Sequence, residues 1–190
     1  MKHEVKQELL DQLLNIMRTI VICMVVLFLC FKLFLKPIQV SGASMYPTLK
    51  DGDFGFTFVL GGLLDIYERF DVVIIYYEAE DMELVKRIIG LPGETILYKD
   101  NKLYVNGEYV EETFFNEDFV DSQTFGQLLN FTEDFGPVTL GEDEYFVLGD
   151  NRRSSLDSRI IGAIHSEDIL SKYVYVIYPF DDFNIVTNDD

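Results

Sequence analysis

The sequence predicts a mainly β protein, in which a single N-terminal transmembrane helix is followed by an antiparallel β-sheet or partial-barrel domain. Three observations carry this prediction. Residues 19–35 (TIVICMVVLFLCFKLFL) form one apolar run with a single charge, Lys32. Beyond Lys36-Pro37, short β-branched and aromatic runs follow one another between turn signals. Helix signals after the apolar run are few.

At about 1.5 Å per residue the apolar run just crosses a hydrocarbon core, and Lys32 can snorkel to the far interface. Residues 1–36 hold five Lys/Arg and three acids, whereas residues 37–190 hold ten and thirty. Positive charge ahead of a span favours an inside N-terminus. The expected organisation is a cytoplasmic segment (1–18), an anchor (19–36) and an extracytoplasmic domain (37–190). A buried core helix would share the composition of the run. A cleaved secretory signal is the closer rival, because residues 20–31 suit an h-region and Ser41-Gly-Ala43 offers small residues at a cut. The long n-region with its three acids, and the interruption at Lys36-Pro37, favour an uncleaved anchor. Cys23 and Cys30 lie seven apart on one helix face as packing residues, which leaves the outer domain free of cysteine.

In the outer domain, strands are expected over residues 55–59, 71–77, 84–89, 95–98, 102–105, 144–148 and 173–178. Turns are expected at Lys50-Asp-Gly-Asp53, Leu91-Pro-Gly93, Lys99-Asp-Asn101, Asn106-Gly107 and Gly149-Asp-Asn151. Residues 102–110 read as a hairpin with a primed Asn106-Gly107 turn. Residues 166–170 offer one capped helical turn. Residues 111–137 form a Phe- and acid-rich insertion, and Phe114, Phe115, Phe119, Phe125, Phe131 and Phe135 are expected to pack on the sheet. Its acids would oppose an anionic membrane.

A net charge of −18 argues against a nucleic-acid partner. Two histidines and two cysteines supply neither a metal site nor a disulfide framework, so no metal and no cofactor is implied. They also leave no charge-relay triad. His3 precedes the span, and His165, in Gly-Ala-Ile-His-Ser-Glu, reads as a solvated histidine. A serine activated by something other than histidine remains.

Three segments are candidates. Ser41-Gly-Ala-Ser-Met-Tyr-Pro-Thr-Leu-Lys-Asp-Gly-Asp53 is a small-residue turn, with Ser44 eight residues past the anchor. In the second segment Lys86 sits amid Leu84, Val85, Ile88 and Ile89, in a strand that reads as buried on both faces. Alternation puts Lys86 with Leu84 and Ile88, and Arg87 with Val85 and Ile89. The third, Gly149-Asp-Asn-Arg-Arg-Ser-Ser-Leu-Asp-Ser-Arg159, is a polar loop with a local Asp157–Arg159 pair.

Together, in this order behind one span, these segments resemble the type I signal peptidases, the Ser/Lys endopeptidases that remove leaders from exported proteins. The boxes are Ser44-Met-x-Pro-Thr-Leu49, Val85-Lys-Arg-Ile-Ile-Gly-Leu-Pro-Gly93 and Gly149-Asp-Asn-Arg-x-Ser-Ser-x-Asp-Ser-Arg159. The single span and short length are similar to the compact Gram-positive form. The resemblance implies that Ser44 is the nucleophile, Lys86 the general base and Ser155 the group orienting the lysine amine. It implies a structural Asp157–Arg159 ion pair. It also implies shallow pockets, lined by Val40, Met45, Leu84 and Val85, for small substrate side chains at −1 and −3. Gly42 stands where some members place an oxyanion-binding serine, which leaves the Ser44 N–H more of that task. The implied partners are the signal peptides of exported preproteins and membrane lipid, with the protein acting as a monomer.

The chemistry sets its own conditions. A free lysine is a cation at neutral pH and takes no proton until burial disfavours its charged form. No carboxylate is therefore expected in contact with the Lys86 amine. An inactive, membrane-anchored homologue that binds extended peptides is the alternative function. A self-cleaving regulator on a related fold is disfavoured by the anchor, which stands where such proteins carry a DNA-binding module.

Overall fold

A computed structural model describes residues 2–59, 67–115, 117–125, 128–180 and 184–186. The chain divides into two units, residues 1–36 and 37–190.

The first unit is dominated by α1 (Lys2–Phe34), 33 residues long. The helix is nearly twice the length of the apolar run, because the polar stretch before Arg18 has no helix breaker and continues the same hydrogen-bond ladder. Lys6–Phe34 is long and apolar enough to cross a membrane, and side chains such as Leu27, Phe28 and Leu33 stand more than half exposed.

The second unit is built from antiparallel strands. They are β1 (Leu35–Gln39), β2 (Phe54–Phe58), β3 (Val72–Tyr77), β4 (Met82–Gly90), β5 (Thr95–Lys99), β6 (Lys102–Val105), β7 (Glu108–Val110), β8 (Phe135–Thr139), β9 (Glu144–Leu148), β10 (Ile164–His165), β11 (Ile169–Tyr178) and β12 (Asn184–Val186). The larger sheet runs β1-β2-β11-β3-β4-β9-β10, with β12 also on β11, and the smaller runs β7-β6-β5-β8. The β6–β7 hairpin turns through Asn106 and Gly107, both at positive φ, which is the backbone that a primed two-residue turn requires.

Two strands absent from the sequence reading contain proline. Pro37 lies in β1 and Pro137 in β8, and both strands sit at sheet edges, where a missing N–H breaks no ladder bond. The insertion carries a short helix, α2 (Glu117–Thr124), with Glu117 and Asp118 in its first turn, where acids suit the helix dipole. Residues 166–168 form a single 3₁₀ turn.

The core has three parts. Ile89, Phe146 and Leu148 of the large sheet pack against Ile96, Tyr98, Leu103 and Val105 of the small one. Val73, Ile75, Ile88 and Val147 form a second cluster with Tyr67 and Tyr145. Val40, Met45 and Leu49 join Val72, Val174 and Val176 in a third. β4 feeds all three, and its burial changes along its length: Met82 and Glu83 are exposed, whereas Lys86–Gly90 is fully buried.

Candidate active site

Ser44 sits in the loop between β1 and β2. The loop is closed at its base by Val40 N–H donating to Asp53 C=O (2.8 Å) and Gly52 N–H donating to Val40 C=O (3.0 Å). Met45 and Leu49, 1% and 0% exposed, pin it to the apolar cluster beneath. Ser44 itself is half-buried.

Lys86 enters from the centre of β4, opposite Val73 of β3, and is 1% exposed. Its Nζ lies 3.0 Å from Ser44 Oγ and 2.8 Å from the Val85 carbonyl oxygen. Among the described residues no carboxylate pairs with it. Burial lowers its pKa to about 8, against the weaker upward pull of the Asp157 and Asp150 charges. An amine in that range is appreciably neutral near physiological pH and can accept a hydroxyl proton.

The third box holds the Ser44 loop by its backbone. Asn151 N–H donates to Ser44 C=O (3.0 Å) and Asn151 Nδ2 to Ala43 C=O (3.1 Å). Gly149 is required by proximity. A Cβ there would lie 2.4 Å from the Ser44 carbonyl oxygen and 2.2 Å from Ser155 Oγ. The Ser155 hydroxyl is buried against that glycine, and its polar neighbour is the Asp157 carboxylate, whose pKa it helps to lower. The second hydrogen bond of the Lys86 amine goes to Val85, not to Ser155.

Asp157 accepts from Arg159 Nε and Nη2, each at 2.8 Å, and from Gly149 N–H at 3.1 Å. Burial works to raise the Asp157 pKa, but the Arg159 hydrogen bonds and charge outweigh it and hold the carboxyl below its usual value. Asp157 also caps α3 (Ser158–Ile161), a helical turn where the sequence predicts a polar loop. Gly42 has φ +90°, donates its N–H to Asp51 Oδ1 (2.8 Å) and faces open space on its Cβ side. Of the four residues expected to line substrate pockets, Val40, Met45 and Val85 share one apolar cluster. Leu84 packs in another, with Val73, Ile75 and Tyr145.

A polar network joins the boxes, and the sequence alone does not announce it. Arg87 Nε and Nη2 donate to Asp150 at 2.9 and 2.8 Å, and Thr48 Oγ1 donates to the same carboxylate at 2.6 Å. One buried carboxylate thus ties a residue of each of the other two boxes to the third. The signal available was the burial expected for Arg87 within β4, since a buried guanidinium demands an acid. Which acid is not readable locally, because the partner lies 63 residues away.

A family model described as "Signal peptidase, peptidase S26" matches residues 13–178. The chain belongs to the S26 signal peptidases. Signal peptidase I of Bacillus licheniformis is 40% identical over 164 residues, covering 85% of this chain and 87% of that one. Signal peptidase I T of Bacillus subtilis is 38% identical over 166 residues, covering 87% and 85%. Signal peptidase IB of Staphylococcus aureus is 34% identical over 193 residues, covering 97% of each chain. This S26 signal peptidase is therefore a serine endopeptidase that removes signal peptides, and the one long apolar helix among its described residues fits a membrane anchor.

Proposed function

We propose that this signal peptidase cuts by a Ser44/Lys86 dyad through an acyl-enzyme, after small residues at −1 and −3 of the leader. The observation that carries the reading is the 3.0 Å approach of a buried, carboxylate-free Lys86 amine to Ser44 Oγ. The neutral amine takes the Ser44 proton as Oγ bonds to the scissile carbonyl carbon. The resulting oxyanion is met by the Ser44 N–H, which donates no hydrogen bond within the described residues. Lys86 then passes its proton to the departing amine nitrogen as the C–N bond breaks, leaving an ester on Ser44. Water, deprotonated by Lys86, attacks that ester and releases the leader's new carboxyl terminus.

Ser155 is assigned the orientation of the Lys86 amine. Its hydroxyl is buried against Gly149, at the point where that glycine meets the Ser44 carbonyl. The Asp157–Arg159 pair is assigned a structural role, since its carboxylate holds the N–H of Gly149, the residue packed against the Ser44 carbonyl. Val40, Met45 and Val85 are assigned to the pockets for small side chains, because they form one apolar patch around the Ser44 loop. The leader itself binds as an extended strand. The basic flank of the helix favours a cytoplasmic N-terminus and an extracytoplasmic catalytic domain.

The test is cleavage of Ala-x-Ala leader peptides by detergent-solubilised full-length protein. Ser44→Ala and Lys86→Ala are each expected to abolish turnover while leaving expression and membrane insertion intact. The wild-type kcat/KM should rise with pH through an acid limb near 8 as Lys86 loses its proton. Near-normal turnover by either variant overturns the dyad.

A further inference from the structure

The segment over residues 111–137 touches each of the three boxes. Phe119, on α2, meets the ring of Tyr46 edge-on, with centroids 5.4 Å apart, two residues after Ser44. Phe114 lies under the Arg87 guanidinium, 4.1 Å from ring centroid to Cζ. Glu112 pairs with Arg152 Nη2, and Thr132 Oγ1 accepts from Arg152 Nη1 at 3.0 Å. Phe115 covers the same guanidinium at 4.7 Å.

Arg152 is the informative member. It is 2% exposed, and its other side-chain hydrogen bonds go to the Tyr98 hydroxyl and to the Gly149 carbonyl, which accepts from Nε at 3.1 Å. Gly149 is the residue whose Cα lies against the Ser44 carbonyl, and Asn151 holds the Ser44 and Ala43 carbonyls. A continuous path therefore runs from the Glu112 carboxylate through Arg152 to the loop that clasps the nucleophile. A buried guanidinium without its acid would lose that geometry, because the strength of such a network depends on every member being satisfied.

We propose that the 111–137 segment is a strap that positions the nucleophile, with Glu112 and Phe119 as its positioning residues. Glu112 acts through Arg152 on the 149–151 loop, and Phe119 acts through Tyr46 on the Ser44 turn. The strap makes no bond with substrate. Its effect is on the near-attack geometry of Ser44 and Lys86, and the inference rests on the dyad reading above.

The experiment measures kcat and KM with a leader peptide, using the full chain in detergent and normalising to folded protein by thermal melting. Glu112→Gln is expected to lower kcat about tenfold with KM within about twofold, and Phe119→Leu to lower kcat about threefold. Phe125, which the sequence places on the sheet, is instead 71% exposed, so Phe125→Ser serves as the control in the same segment and should turn over as wild type. Where Glu112→Gln fails to fold, Glu112→Asp takes its place with an intermediate loss expected. Wild-type kcat per folded molecule in the Glu112 and Phe119 variants overturns the strap, as does a loss that falls entirely on KM. Lys86→Ala is run alongside. An active Lys86→Ala sinks the dyad, whereas an inactive one beside wild-type strap variants sinks only this inference.

Discussion

Lys86 and Arg87 are consecutive residues of one strand, both cationic in origin and both essentially without solvent exposure. Their surroundings differ in kind. Arg87 is gripped by Asp150 on two nitrogens, by the Phe70 carbonyl and by the face of Phe114. Lys86 has a hydroxyl and a carbonyl oxygen, and Asp150 and Asp157 reach it only through space. In a chain of net charge −18, finding an acid for a buried cation is easy. Withholding one is the uncommon arrangement, and it separates the proposed base from a strut. β4 achieves this by alternation, which sends adjacent side chains to opposite faces with different neighbours.

The largest expected effect comes from making Lys86 resemble its neighbour. A guanidinium is not deprotonated in a protein, so Lys86→Arg keeps the charge and removes the base. Leader cleavage should fall by about a thousandfold, in the range that general-base catalysis supplies. Steady-state kinetics with the same peptide checks this. Activity within about tenfold of wild type would mean that position 86 contributes charge rather than proton transfer.

How much of this contrast was legible beforehand follows from the distance over which each feature is specified. The β6–β7 hairpin is written in nine consecutive residues, and the structure returns it with the expected turn. Lys86 was legible as a base candidate from Leu84, Val85, Ile88 and Ile89 alone, because desolvation can be read from flanking residues. Asp150 and Glu112 could not be selected as partners of Arg87 and Arg152. In so acidic a sequence every cation has many possible partners, and only the tertiary fold chooses among them. β1 and β8 were hidden because Pro37 and Pro137 mark strand ends locally, while sheet edges tolerate them. α3 is hidden because an Asp two residues before an Arg signals a local ion pair before it signals a helix cap. The structure uses Asp157 as an N-cap as well, accepting from the Arg159 N–H.

The next effect bears on Arg87. Arg87→Met keeps roughly the bulk and removes the charge, leaving Asp150 buried with Thr48 alone of its two side-chain partners. Breaking such a pair from one side costs about 3–5 kcal/mol. Denaturant unfolding of the detergent-solubilised chain should show a loss of that size. A change below about 1 kcal/mol would make the Arg87–Asp150 pair dispensable to the fold and erase the contrast with Lys86.

The same isosteric change one residue earlier should have the opposite sign. Burial lowers the Lys86 pKa from an unfolded value near 10.5 to about 8. Below pH 8 the amine is charged in both states, and the folded protein bears the full cost of burying it, about 3 kcal/mol for a shift of this size. Between pH 8 and 10.5 the unfolded chain binds more protons than the folded one, so wild-type stability rises with pH. Above 10.5 both states are neutral and the cost is gone. Lys86→Met carries no such term. At pH 7 it should therefore be more stable than wild type by up to about 3 kcal/mol, less whatever the Ser44 and Val85 hydrogen bonds contribute. Its advantage should shrink across pH 8 to 10.5 and then disappear. Unfolding curves of the two proteins at pH 7, 9 and 10.5 measure this directly. A gap that stays constant with pH would mean the amine keeps the same charge in both states, and burial would then not be what distinguishes Lys86 from Arg87.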